Sequence, residues 1–163
     1  MTGGTALLED GAKIEYCSAS IAGGAVYITD GNLTLGTDLA VTTLTGWVAG
    51  PSVTLETPGF GGVLCQAGGT VESWAEIRLY GSCNYVNGVG VGVKGGTLTM
   101  KGGSITECKA ENSLGGAAYV GGTDASEYGT FILDGGSIGI ENSDTYYRNE
   151  AMYGAGIYVA PWG

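Results

Sequence analysis

Gly115-Gly116-Ala117-Ala118-Tyr119-Val120 decides the reading of this chain, because the sequence keeps returning to it. Gly23-Gly24-Ala25-Val26-Tyr27-Ile28 is a near copy, and Gly154-Ala155-Gly156-Ile157-Tyr158-Val159 a looser one. Gly61-Gly62-Val63-Leu64-Cys65-Gln66 and Gly88-Val89-Gly90-Val91-Gly92-Val93 are degenerate copies. Aligned, they place Tyr27, Cys65, Gly92, Tyr119 and Tyr158 at one site, at spacings of 38, 27, 27 and 39 residues. A period of 27, twice lengthened by 11 or 12, marks a solenoid or similar array.

Two further apolar runs recur within each period. One follows a Gly-Gly-Thr type turn and reads Ala6-Leu7-Leu8, Leu33-Thr34-Leu35, Val71-Glu72-Ser73, Leu98-Thr99-Met100 and Phe131-Ile132-Leu133. Three of these five set a polar residue between apolar or small flanks, the period-2 pattern of a strand with one buried face. The other is clearest in Gly102-Gly103-Ser104-Ile105 and Gly135-Gly136-Ser137-Ile138. Its further copies lie around Ile14 and Ile77, with Leu39-Ala40-Val41 as the candidate for the second rung.

Three short strands per turn, joined at Gly-containing bends, predict an all-β chain. The expected architecture is a right-handed parallel β-helix of about five rungs, rising roughly 20–25 Å at the parallel spacing. A leucine-rich repeat would need a helix or long Leu/Asn consensus, and a propeller blade about 40 residues. Residues 1–163 form one such domain, expected to be a segment of a longer repeat protein whose neighbouring rungs cover its ends.

The departures from 27 locate insertions at about 42–60, 121–128 and 142–152. The first holds Trp47 and Phe60, and the last Tyr146 and Tyr147. Both extend the corner before the third strand, three rungs apart, so they are expected to wall a shallow groove floored by rungs three and four. Loops on a rigid scaffold are where binding concentrates. The tyrosine site lies between apolar neighbours and should face outward, with Tyr119 and Tyr158 stacked on adjacent rungs. Candidate ligand-binding residues are therefore Trp47, Phe60, Tyr146, Tyr147, Tyr119 and Tyr158.

Composition narrows the chemistry. The net charge is −10, with 6 Lys+Arg against 16 Asp+Glu, which disfavours nucleic acid and anionic membranes. There is no His, hence neither the commonest general base nor the commonest metal ligand. No apolar run is long enough to span a bilayer as a helix. Residues 1–4 lack a signal-peptide pattern, so an export signal would lie outside this stretch. Cys17, Cys65, Cys83 and Cys108 show no CxxC pairing; they read as buried thiols or as two disulfides of undetermined connectivity.

No metal site, cofactor or catalytic residue is assigned. The dispersed Asp10, Asp30 and Asp38 do not form a Ca²⁺ loop. Asp124, Glu127, Asp144 and Glu150 are the loop carboxylates a polysaccharide-cleaving enzyme would recruit, but no acid pair repeats at a strand site. The outward site Leu7, Thr34, Glu72, Thr99 and Ile132 breaks the threonine array that an ice-binding solenoid needs.

The segments Gly95–Ile105 with Gly115–Val120, Gly129–Ile138 with Gly154–Val159, and Gly23–Ile28 resemble repeats of polymorphic membrane proteins and autotransporter adhesins. They are similar also to the large cell-surface β-helix proteins of gut and oral bacteria. The resemblance covers most of the chain apart from the insertions. It implies an exported, non-catalytic bacterial adhesin or stalk at the cell surface, meeting a host or cell-surface protein or glycan. A polysaccharide lyase, glycosidase or depolymerase and a pure spacer are the alternatives.

Overall fold

A computed structural model describes residues 3–48, 58–79, 83–122, 124–139 and 148–161, with Trp47 as backbone only. Among the described residues there is no helix, and the strands stack in parallel as a β-solenoid of about four turns. Five copies of each strand define four intervals, which is why the turns number one fewer than the rungs expected from the repeats.

Three five-stranded sheets carry the fold. The first comprises β1 (Thr5–Leu8), β4 (Asn32–Leu35), β8 (Thr70–Ser73), β13 (Gly96–Met100) and β17 (Gly129–Leu133). The second comprises β2 (Lys13–Ala19), β5 (Thr43–Val48), β9 (Glu76–Leu79), β14 (Ser104–Thr106) and β18 (Ser137–Ile138). The third comprises β3 (Val26–Ile28), β7 (Leu64–Gln66), β12 (Val91–Val93), β16 (Ala118–Val120) and β19 (Ile157–Val159). In the first sheet Leu7, Thr34, Glu72, Thr99 and Ile132 align, as the repeats require. In the third, Tyr27, Cys65, Gly92, Tyr119 and Tyr158 align likewise.

One strand lies elsewhere than expected. Leu39-Ala40-Val41 is not the second-sheet strand of rung two: Leu39 is 84% and Val41 56% exposed. That strand is β5, whose Leu44 pairs with Ile14 and Ile77 and is fully buried. In Thr43-Leu44-Thr45-Gly46-Trp47-Val48 the alternation is correct for one buried face, whereas three consecutive apolar residues cannot all point inward. The apolar triplet sits instead on a surface loop, tied down where Thr37 donates from its amide and hydroxyl to Asp10. Thr43–Val48 therefore belongs to the rung frame and not to the insertion read over 42–60.

Two ribbons add to the expected three strands per turn. β10 (Cys83–Asn84) pairs with β15 (Ala110–Glu111), and β6 (Gly59–Phe60) with β11 (Val86–Asn87). Both sit at the corner between the second and third sheets. Tyr85 and Asn112, one period apart, bend this corner at φ of 57° and 52°. Asn suits that left-handed conformation; Tyr adopts it rarely.

Inside, the aligned columns Leu33/Val71/Leu98, Leu44/Ile77/Ile105 and Leu64/Val91 are buried and form one continuous core. Full burial of each Leu, Ile or Val contributes about 1.5–3 kcal/mol. The third sheet is reached through the first glycine of the repeat. Gly23, Gly61, Gly88, Gly115 and Gly154 have φ between 59° and 73°. A Cβ at Gly61 or Gly115 would come within 2.1 Å of the carbonyl oxygen three residues ahead. The second glycine does not need the positive φ, and Val89 and Ala155 replace it in two copies, although at Gly62 and Gly116 a Cβ would crowd the carbonyl of the next rung. The copy at Gly88 thus retains the one residue the corner needs.

Candidate functional site

The tyrosine column faces away from the core, as period 2 requires, yet it is not an open ladder. Tyr119 is 5% and Phe60 8% exposed. They belong to a second apolar cluster with Cys65 and Ala160, against which Ala22, Leu114 and Tyr158 pack. The cause is the corner geometry. The positive-φ glycine turns the chain so that the residue preceding it folds over the outer face of the third sheet.

Gly92 opens the space this needs. Phe60 lies two rungs from Tyr119, but their ring centroids are 5.5 Å apart at 65°. A Cβ on Gly92 would meet the Gly61 backbone nitrogen at 2.7 Å. Tyr119 in turn stacks on Tyr158 at 5.7 Å and 15°. At Gly92, which has no side chain, the column thus continues through Phe60 as an edge-to-face and stacked trio, a preferred aromatic arrangement. Burial, with the Tyr158 and Glu127 charges, raises the Tyr119 phenol above its ordinary value.

The 121–128 loop is fastened beside this trio. The Lys94 ammonium lies 4.6 Å from the Phe60 ring centroid and 3.0 Å from Glu127 Oε1. Ser126 donates from its amide and hydroxyl to Asp124 Oδ1, and these bonds hold the Asp124 carboxyl below its usual range. The Glu127 amide then donates to the Asp124 carbonyl, and the Gly122 amide to the Glu127 carbonyl. These contacts shape and anchor the loop.

A separate concavity of about 760 Å³ lies on the β10–β15 ribbon. Its described lining comes from rungs three and four and from Glu150–Met152, with no described residue of 42–60. Asn84, Lys109, Glu111, Asn112, Glu150 and Met152 line it. Asn112 Nδ2 donates to Asn84 Oδ1 at 3.4 Å, and Lys109 Nζ pairs with Glu150 Oε1 at 3.1 Å. Its rim is well pinned. Asn149 Nδ2 donates to the Ile105 carbonyl and Asn149 Oδ1 accepts from the Cys108 amide, while Glu150 exchanges backbone bonds with Cys108 and Ala110.

The expected binding residues thus divide. Phe60, Tyr119 and Tyr158 come together and pack on one another, with Tyr119 buried, whereas Tyr27 of the same column stays 47% exposed. Trp47 is on β5, paired with Ser18. Tyr146 and Tyr147 lie outside the described residues. Asn84, Glu111 and Asn112 escaped the sequence reading, because the corner ribbons have only two residues per strand. The signal that finds them is the 27-residue offset between Cys83-Asn84-Tyr85 and Ala110-Glu111-Asn112.

The four cysteines are free thiols. Burial pushes Cys65 up to about 12 and Cys83 up to about 11, and raises Cys108 further. Low thiolate content makes these three buried thiols poor nucleophiles and metal ligands. Among the described residues no group of three or more His, Cys, Asp or Glu is placed to hold a metal ion. The fold and its corner groove define a parallel β-solenoid with a decorated corner. Comparison with protein-family models, curated proteins and solved structures gave no match.

Proposed function

We propose that the protein is a non-catalytic, adhesin-like binding module or stalk, exported to a bacterial cell surface. Its partner is a host or cell-surface glycan or protein, met at the corner of rungs three to five. The observation that carries this reading is the use to which the carboxylates are put. Of the four loop acids an enzyme would recruit, Glu127 pairs with Lys94 and Glu150 with Lys109. Asp124 caps its own loop, and Asp144 lies outside the described residues. A general acid and its partner need to be poised at substrate, about 5–10 Å apart. Carboxylates already paired to lysines on the scaffold suit anchoring.

One observation favours a second reading, a polysaccharide-cleaving enzyme: Glu111 lines the same groove as Glu150. A glycan array read together with chromatography of the supernatant separates the two. Retention with intact glycans is the expected result. Shortened products overturn it in favour of the enzyme, and silence on both counts leaves a spacer.

A further inference from the structure

We infer that the groove on the β10–β15 ribbon binds a neutral, hydroxyl-rich saccharide. The inference rests on the binding reading above and sharpens it, because it commits to one place and one ligand class. The volume of about 760 Å³ falls in the roughly 300–1,000 Å³ range of small-molecule sites. Across adjacent rungs the groove offers a diagonal amide ladder, Asn84 and Asn112, one residue out of register and bonded to each other at 3.4 Å. Each side-chain amide has capacity for several hydrogen bonds, donating and accepting, so one mutual bond leaves most of it for a ligand. Vicinal hydroxyls are donors and acceptors side by side, which such a ladder matches. Glu111, exposed at the same lip, adds a charged acceptor, and charge-assisted bonds are the stronger ones.

Between these polar groups the floor is small and apolar. Ala110 and Ala151 line it, and Met152 stands at its edge 51% exposed. The C–H face of a sugar ring can rest there without stranding a polar group. Two other ligand classes fit less well. Lys109 is already balanced by Glu150, Glu111 adds a negative charge, and the chain carries −10, so an anionic ligand is repelled. A protein interface centres on Trp, Tyr or Arg anchors, and among the described residues the groove lining contains none of these.

The test uses the whole chain with neutral and uronic- or sialic-acid-containing oligosaccharides, followed by calorimetry or NMR titration. Asn112→Gly removes the amide while tolerating the φ of 52°, and Glu111→Gln removes the charge at constant size. Both variants should keep the thermal midpoint within a few degrees, and Met152→Ala serves as a third should either fail to fold. Expected is binding of neutral saccharides, weakened tenfold or more by Asn112→Gly and severalfold by Glu111→Gln. A preference for the acidic sugars overturns the ligand class. Saccharide or protein binding untouched by all three variants overturns the groove while leaving the adhesin reading intact. Absence of any binding overturns both.

Discussion

The middle rungs and the fifth rung carry the same repeat, but they are different places physically. Leu98, Met100, Val91 and Val93 in the middle are fully buried. At the aligned sites of the fifth rung Leu133 is 49%, Ile157 40% and Val159 62% exposed. The aligned residues stay apolar and in register, and within residues 1–163 only the middle rungs are flanked on both sides. Burial in a solenoid is therefore supplied by neighbours along the axis, and its energetics are those of a nearest-neighbour stack.

Truncation at matched sites should expose that difference most strongly. Met100→Ala, at the site in register with Leu133, is expected to destabilise by about 2–5 kcal/mol, the range for a fully buried Met, and to lower Tm by several degrees. Leu133→Ala should stay below about 1 kcal/mol. Equal losses in denaturant titrations would mean that the last rung is covered as well as the middle ones.

The corner glycine supplies a second contrast. Gly88→Ala places a methyl 2.2 Å from the Val91 carbonyl oxygen and 2.9 Å from Tyr119 Cβ. Left-handed backbone costs an L-residue about 1–2 kcal/mol even before that overlap. At Gly154 the matching carbonyl is 2.6 Å away, a looser approach. Gly88→Ala should therefore be the more damaging of the pair in thermal melts, by about 1 kcal/mol or more.

Gln66 tests whether a polar side chain in the core holds the register of the middle rungs. It is fully buried, aligned with Ile28 and Val93, and its Nε2 donates to the Gly69 and Thr97 carbonyls at 2.9 and 3.1 Å. Gln66→Ala leaves both carbonyls without that donor and is expected to cost about 1–3 kcal/mol. Gln66→Met, of similar volume, should recover the packing share of the loss. If Gln66→Ala is neutral in urea, the amide has no such role.

The thiols give the gentlest test, because nothing changes near neutral pH. The folded-state values of Cys65, Cys83 and Cys108 are raised, so the neutral form is the one the fold favours. The associated stability is fully present below the ordinary thiol value of 9.0 and fades as pH climbs through about 11 at Cys83 and about 12 at Cys65. Stability measured from pH 8 to 12 should fall over that window, and less steeply in Cys65→Ala. In the folded protein a thiol reagent should modify half-buried Cys17 first.

Much of the scaffold was legible in advance, and the candidate site was not. The phase of Gly23, Gly61, Gly88, Gly115 and Gly154 is a property of the chain, because only glycine accepts that φ beside that carbonyl. The columns Leu33/Val71/Leu98 and Tyr27/Tyr119/Tyr158 follow from counting 27 and allowing for insertions. Rung two misled the reading because an apolar triplet, Leu39–Val41, outshone the alternating Thr43–Val48. Hydrophobicity without period does not say which face a residue takes.

The sequence by itself thus determined the period, the parallel stacking and the division of residues into core and outer columns, since these rest on backbone sterics and side-chain alternation. Tertiary structure alone decided three further things. It folded Phe60 across Gly92 onto Tyr119, turning an outward aromatic column into packing. It raised two corner ribbons too short to carry a periodic signal, and it joined Asn84 to Asn112 and Lys109 to Glu150 in one groove. Those outcomes depend on distances between rungs and on the bend at a corner, which a linear pattern does not encode.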